Sequence, residues 1–491
     1  MHRTPIRFPA AFLLITSWLA PLAPAAADWH ALTGLEQTGA RVSASAVDLS
    51  DNKVIQQLNA DVRLTPASLT KLVVAAAALN SWPADKMFKT QMVAAGPPND
   101  GRIAGDVFLV GAGDPSLTGQ NLWALAAQIK GAGVTSVAGR LVVTPAPFAS
   151  VECETKDRCD AAKISDSAFD APLASIGIDF GTWCIEVRAT AVGQAAAIIG
   201  CSAQLPMTIQ GAVTTSAAAK KTTLRVERLT SADGVDSLRV GGTVPVDSSQ
   251  RVYRAMSNPA LGVGMLLKAT LNDMGIIVTG GVTVRDGAPP KNAVVLAQTE
   301  GLALKEQLGR MLRFSNNYIA DVLTLTLAAA TDDTPPTTLS AASGTLAAFM
   351  MRTQKRSKTP YATPPILHSG SGLTPENQLS ANDLVGLLSN EYRDTRNFGA
   401  FYGGLVVPRQ APFVFLRGGS NGWLDRIALK TGTMNEPHSV CGVAGYLRKK
   451  DGGWIAFAII VNGGATRMKH VPLYKAMEAI RSDIEKLLAR Y

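Results

Sequence analysis

Apolar residues along this chain recur with two different periods, and the period changes from region to region. Residues 41–49 and 54–59 alternate apolar and polar positions in the two-residue rhythm of strands, and Asp51-Asn52 between them reads as a hairpin turn. After Pro66 an unbroken apolar run, 69–79, predicts a buried helix that the proline opens, because its fixed φ suits a first helical turn. Helices are also predicted near 305–314, 318–330, 383–392 and 472–491, and strands over 426–431, 439–447 and 454–461. The five strands from the two ends can pair into one antiparallel sheet, with the last helix on one face and the central helices on the other.

The stretch between these ends has another texture. Short Val/Thr/Ala-rich strands at 106–110, 140–144, 208–215, 222–227 and 237–244 are separated by Gly, Pro and Asp turns, and only 120–131 and 261–274 read clearly as helices. The expected architecture is α+β: an α/β sandwich made of residues 28–90 and 291–491, interrupted by a mainly β insertion over 91–290 with room for two subdomains. Its five-stranded antiparallel sheet carries helices on both faces.

Candidate chemistry sits at the edges of this pattern. Ser68 and Lys71 form an S-x-x-K string in the first turns of the apolar helix, Ser315-Asn316-Asn317 an S-x-N string, and Lys430-Thr431-Gly432 a K-T-G string on a predicted strand. A lysine three residues after a serine lies on the same helix face, within reach of its hydroxyl. Serine needs such a base because its own pKa is far above neutrality, and the lysine can take the proton only where its ammonium form is disfavoured. The apolar neighbours Leu72, Val73 and Val74 supply desolvation, and Lys430 is the candidate second cation.

Each string alone is weak, since S-x-x-K is expected about once or twice by chance in a chain of ordinary composition. Ser50-Asp51-Asn52-Lys53 satisfies S-x-x-K too, but it falls on the hairpin turn, where no helix holds the lysine. Ser380-Ala381-Asn382 reads as a helix cap completed by Asp383. Gly418-Gly419-Ser420-Asn421-Gly422 matches a nucleophile elbow, yet a strand rather than a helix is predicted after it. Val110-Gly111-Ala112-Gly113 lacks the third glycine of a dinucleotide loop, and Pro115 interrupts the helix such a loop needs. The order S-x-x-K, S-x-N, K-T-G is therefore what carries information.

The chain of 491 residues is 47% hydrophobic and 17% charged, which suits a globular protein of several domains. Arg3 and Arg7 precede an apolar stretch that ends at Ala25-Ala26-Ala27, an export signal with cleavage expected after Ala27. No second apolar run reaches membrane-spanning length and no cysteine follows the cleavage point, so an exported, periplasmic chain without a membrane segment is expected. The formal net charge of +9 loses two positive charges with the signal and carries little information about partners, and no nucleic acid is expected among them. Of five cysteines, Cys153 with Cys159 and Cys184 with Cys201 are the favoured local disulfides, other pairings remaining open, and Cys441 reads as a buried free thiol. The five scattered histidines and the absence of C-x-x-C suggest no metal.

With these motifs in order, the chain resembles the low-molecular-mass class C penicillin-binding proteins, the D-alanyl-D-alanine carboxypeptidases/endopeptidases of peptidase family S13, over nearly all of its mature length. The likeness extends to Leu109-Val110-Gly111-Ala112-Gly113-Asp114-Pro115-Ser116-Leu117, to Gly370-Ser371-Gly372-Leu373-Thr374, and to the large insertion after the S-x-x-K helix. Ser369 departs from it, standing where the family usually has Asp. The resemblance implies a penicillin-binding/β-lactamase-like fold and a cofactor-free serine D,D-peptidase. It would act on peptidoglycan stem peptides at the terminal D-Ala-D-Ala bond, at D-Ala–meso-diaminopimelate cross-links, or at both, and bind penicillin covalently. Ser68 would be the nucleophile, Lys71 its base, Ser315 a proton relay and Asn317 a holder of Lys71 and substrate. Lys430, Thr431, Gly432 and Thr433 would bind the terminal carboxylate and backbone, and the N–H groups of Ser68 and Thr433 would form the oxyanion hole. Oligomeric state is left open, a homodimer included. A β-lactamase is disfavoured because no E-x-x-x-N element lies in a credible loop, a strand-joining transpeptidase because it usually has a membrane anchor, and a cell-wall-binding scaffold because the motifs are intact.

Overall fold

The structure, a computed structural model, describes residues 29–154, 159, 166–201, 205–331, 334–354, 364–464 and 467–491. The expected export signal lies outside the described residues. Strands Ile427–Met434, Val440–Arg448, Trp454–Asn462, Arg41–Asp48 and Val54–Leu58 form one five-stranded antiparallel sheet in that spatial order. The chain ends meet where Arg41–Asp48 pairs residue for residue with Trp454–Asn462. This long-range pairing closes the domain across the whole sequence.

Both faces of the sheet are buried, which explains why its central strands read as near-continuous apolar runs. One face packs against the terminal helices His30–Gln37 and Leu473–Arg490, around Trp423, Phe457 and Ile480. The other packs against helices Lys71–Ser81, Leu304–Phe314, Asn317–Thr331, Leu339–Gln354 and Ala381–Arg393. Lys71–Ser81 is buried along almost its full length, so its apolar run shows no amphipathic stripe. Helix Leu339–Gln354 was not anticipated. Its small and hydroxylated residues, Ser340, Ser343, Gly344 and Thr345, blur the apolar period.

The insertion has its own cores and sheets. A five-stranded mixed sheet runs in the order Val282–Val284, Leu141–Thr144, Val107–Val110, Lys89–Ala94, Val294–Glu300, with helices Gly119–Gly131 and Pro259–Asp273 packed on it. The boundary expected at 290 falls too early here: Val294–Glu300 pairs antiparallel with Lys89–Ala94, so the two connecting strands belong to the insertion's sheet. Two expected strands are each broken at a glycine. Gly211 and Gly242 both take φ of +90°, and the chain leaves one small sheet there and enters the next.

One further expectation changes. Ser420 caps a short helix, Asn421–Asp425, by accepting from the Trp423 amide, where the pattern had suggested a strand directly. The segment before it contains only the 3-10 turn Val414–Leu416, so the strand that a nucleophile elbow needs is missing among the described residues. The hairpin turn at Ser50 and the capping box of Ser380 with Asp383 stand as expected. Disulfides join Cys153 to Cys159 and Cys184 to Cys201, and Cys441 is free and buried.

Candidate active site

The nucleophile turn differs from a plain helix start. Ala67–Thr70 is a 3-10 turn, and the α-helix begins only at Lys71. Ala67 has φ of 46°, the left-handed region that costs a residue with a Cβ on the order of 1 kcal/mol. Four contacts brace the turn that holds it there. The Thr70 hydroxyl donates to the Ala67 carbonyl at 2.9 Å, and the Asn377 amide donates to that hydroxyl at 3.2 Å. Gly372 and Gly432 lie so close to the Ala67 and Pro66 carbonyls that neither position has room for a Cβ. The glycines of G-S-G-L and K-T-G therefore clamp the same turn from two sides.

Lys71 is fully buried, and its Nζ lies 2.8 Å from Ser68 Oγ, 2.8 Å from Asn317 Oδ1 and 2.6 Å from the Ser371 carbonyl. Three acceptors match the three donors of an ammonium. As a neutral amine, Lys71 can keep two N–H bonds to Asn317 and Ser371 and turn its lone pair to the Ser68 hydroxyl. One geometry thus serves both protonation states.

Ser315-Asn316-Asn317 forms a hinge between two helices, and each residue has a separate task. Ser315 ends Leu304–Phe314 in the left-handed conformation, φ 57° and ψ 38°. Asn316 Oδ1 accepts from the Ile319 amide at 2.9 Å and so caps the next helix. Asn317 is then left to face Lys71, and its Nδ2 donates to the Phe169 carbonyl at 3.2 Å. Ser315 Oγ accepts from Lys430 Nζ at 3.0 Å.

Lys430 is also fully buried and donates to the Thr431 carbonyl at 2.7 Å. Burial, then the nearby Lys71 charge, holds its pKa well below the ordinary lysine range. Burial thus disfavours its ammonium form, and a substrate carboxylate placed beside it would favour that form again.

The structure thus joins Ser68, Lys71 and Asn317 in one hydrogen-bonded group and Ser315 with Lys430 in a second, close enough that the Lys71 charge acts on Lys430, with Thr431, Gly432 and Thr433 on the strand beside Lys430. Sequence reasoning missed the Ser371 and Phe169 carbonyls, because a backbone acceptor leaves no signal in residue type. It also missed Asp321, whose buried carboxylate accepts from the Ser371 amide at 2.7 Å and fixes the carbonyl that Lys71 uses. The Ser369 hydroxyl accepts from the Gly372 amide at 3.1 Å, so at this position a hydroxyl rather than a carboxylate braces the G-S-G-L turn. Among the described residues no group of three or more His, Cys, Asp or Glu side chains could hold a metal ion.

Comparisons with known proteins bear on family and fold. The family model of the D-Ala-D-Ala carboxypeptidase 3 (S13) family matches residues 25–484. A D-alanyl-D-alanine carboxypeptidase of an Actinomadura species is 29% identical over 450 residues, covering 87% of this chain and 78% of that protein. The D-alanyl-D-alanine carboxypeptidase DacB of Haemophilus influenzae is 23% identical over 475 residues, covering 91% and 92% of the two chains. In fold, the chain is similar to penicillin binding protein 4 (dacB) from Haemophilus influenzae, with a TM-score of 0.73 at 21% identity over 93% of this chain and 99% of that one.

Proposed function

Because the chain belongs to the D-Ala-D-Ala carboxypeptidase 3 (S13) family and is a serine-type D-alanyl-D-alanine carboxypeptidase, we propose that it works through an acyl-enzyme on Ser68. The supporting observation is the convergence of Lys71 Nζ on both Ser68 and Asn317 at 2.8 Å. Ser68 Oγ attacks the carbonyl between two D-alanines as its proton passes to Lys71, and the N–H groups of Ser68 and Thr433 stabilise the oxyanion. The C–N bond breaks, the leaving amine takes a proton through Ser315, and D-alanine departs. Water then attacks the ester, releases the shortened peptide and restores the Ser68 hydroxyl. Lys430, with Thr431 and Thr433, holds the terminal carboxylate, and Gly432 lets the substrate backbone approach.

The same acyl transfer accepts a β-lactam amide, so the protein binds penicillin covalently, and it opens D-Ala–meso-diaminopimelate cross-links when the leaving amine belongs to a second stem. Residues 1–27 direct export to the periplasm. Among the described residues no helix is long and apolar enough to cross a membrane. The test is incubation with a fluorescent penicillin, peptide mapping of the label, and mass analysis of products from pentapeptide and cross-linked muropeptides. Label is expected on Ser68, lost in Ser68→Ala and in a folded Lys71→Ala variant. Label persisting in Ser68→Ala would place the nucleophile elsewhere.

A further inference from the structure

Close beside the catalytic strand, at the end of the sheet and in the loops that leave it, four positive or protonatable side chains gather with no ion pair among the described residues. The end of the sheet can be read from the strand register. Thr433 pairs with Cys441, and one step further Met434 pairs with Val440, Val440 with Asn462, and Asn462 with Arg41. His438 lies in the turn that joins Met434 to Val440, and Lys469 and His470 lie in the loop that follows Asn462. The two loops are tied together: the Ser439 amide donates to the Lys469 carbonyl at 3.2 Å, and the Val471 amide donates to the Ser439 hydroxyl at 2.7 Å.

Arg41, Lys469 and His470 are exposed and His438 is half-buried. They are close enough that, after burial, the charges of Arg41, His470 and Lys469 are what depress the His438 imidazole below its ordinary pKa. Like charges assembled on a fixed backbone platform repel one another unless an anion joins them. Nothing in the catalytic steps uses them.

Their position says which anion can reach them. In the proposed reaction the terminal carboxylate lies at Lys430 and the reacting carbonyl at the Thr433 amide. The peptide ahead of the scissile bond is thereby directed past Thr433 toward Met434 and His438. From Met434 to Arg41 is three strand spacings, roughly 14 Å, a span that about four extended residues cover. We propose that Arg41, His438, Lys469 and His470 form a binding site for a second carboxylate, carried by the acyl-side peptide of the substrate about three or four residues ahead of the scissile bond. The site deepens the Ser68 reading and rests on it. It selects long acidic stem peptides over short neutral ones and contributes nothing to the chemistry on a β-lactam.

Two synthetic peptides ending in D-Ala-D-Ala test this, identical except that one carries a carboxylate four residues ahead of the scissile bond and the other a carboxamide. The wild-type protein is expected to favour the carboxylate about five-fold in kcat/KM at low salt, with the preference fading as ionic strength rises. In Arg41→Gln/Lys469→Gln the ratio should fall close to one while the rate of penicillin acylation stays unchanged. Lys220→Gln/Lys221→Gln, which removes two exposed cations from the insertion, should keep the wild-type ratio. A wild-type ratio of one, or an undiminished ratio in the Arg41/Lys469 variant, overturns the carboxylate site while penicillin acylation leaves the Ser68 reading standing. Failure of penicillin and both peptides to acylate Ser68 overturns both.

Discussion

Replacing Gly372 with alanine should disable the nucleophile without touching any group that takes part in the reaction. Gly372 has φ of +71°, and a Cβ there would lie 1.9 Å from the Ala67 carbonyl oxygen and 2.9 Å from Thr70 Oγ1. The left-handed backbone alone costs an alanine about 1 kcal/mol. Overlap with a backbone atom in a packed interior adds about 1–3 kcal/mol. The obstacle is the carbonyl of the residue before Ser68, so relief requires the nucleophile turn or the G-S-G-L turn to move. Both carry partners of Lys71: Ser68 Oγ on one side and the Ser371 carbonyl on the other. A displacement of about 1 Å in such a site costs on the order of a hundred-fold in rate. Gly372→Ala is therefore expected to lose about 2–4 kcal/mol in denaturant unfolding and roughly a hundred-fold in the second-order rate of penicillin acylation. Gly399→Ala is the control, since a Cβ at that exposed helical glycine meets nothing within 4 Å. A Gly372→Ala protein that acylates within two-fold of wild type would show that the clamp on Ala67 is incidental.

Two more outcomes follow from buried groups away from the site. Burial, with help from the Asp394 charge, raises the Glu391 carboxyl to about 7 from an ordinary 4.5, so the neutral form is the one the fold prefers. Its stabilising contribution is fully present below about pH 4.5 and is lost as pH rises through about 7, a difference of about 3 kcal/mol at most. Glu391→Gln should flatten the stability profile between pH 5 and 8 and unfold at higher denaturant than wild type at pH 8; an unchanged profile would refute the assignment. For the cysteines, burial raises the Cys441 thiol to about 12, so no thiol should react with Ellman's reagent in the native protein and one should react after denaturation without reductant. Titration of three or five thiols would contradict the two disulfides, of which Cys184–Cys201 should stabilise the insertion by about 3 kcal/mol.

What could be read from sequence was what one residue type or one period decides. The alternating strands and the fully apolar helix placed the five-stranded sheet, because burial on a given face dictates residue type at each position. The order of the three motifs pointed to Ser68, Lys71, Ser315 and Lys430, whose side chains carry the proposed chemistry. Asn377, which braces Thr70, and Asp321, which fixes Ser371, were invisible for a different reason. Each acts on a segment tens or hundreds of residues away, and its type would suit a surface position equally well. The strand breaks at Gly211 and Gly242 could have been suspected from the glycines alone, but a β pattern continues through both.

The insertion supplies none of the three motifs, yet its hydrogen bonds reach the residues that form them. Its Phe169 carbonyl accepts from Asn317 Nδ2, so the residue that faces Lys71 is oriented from outside the sandwich. The next residue, Tyr318, donates from its hydroxyl to the Ala174 carbonyl and packs its ring against Gly177 and Gly181, where a Cβ would collide with it. The Leu109–Leu117 segment grips both helices of the S-x-N hinge. Thr326, on the helix that Asn317 begins, donates to the Gly113 carbonyl, and the Ser116 hydroxyl, itself bound to buried Asp114, accepts from the Leu302 amide just ahead of the helix that Ser315 ends. Each contact is worth only about 1 kcal/mol, but they constrain one turn from several directions, which is how a left-handed serine is kept in place. A chain lacking the insertion would keep the residues of all three motifs and lose the support that aims Asn317 at Lys71. In the proposed mechanism the insertion serves by position rather than by chemistry.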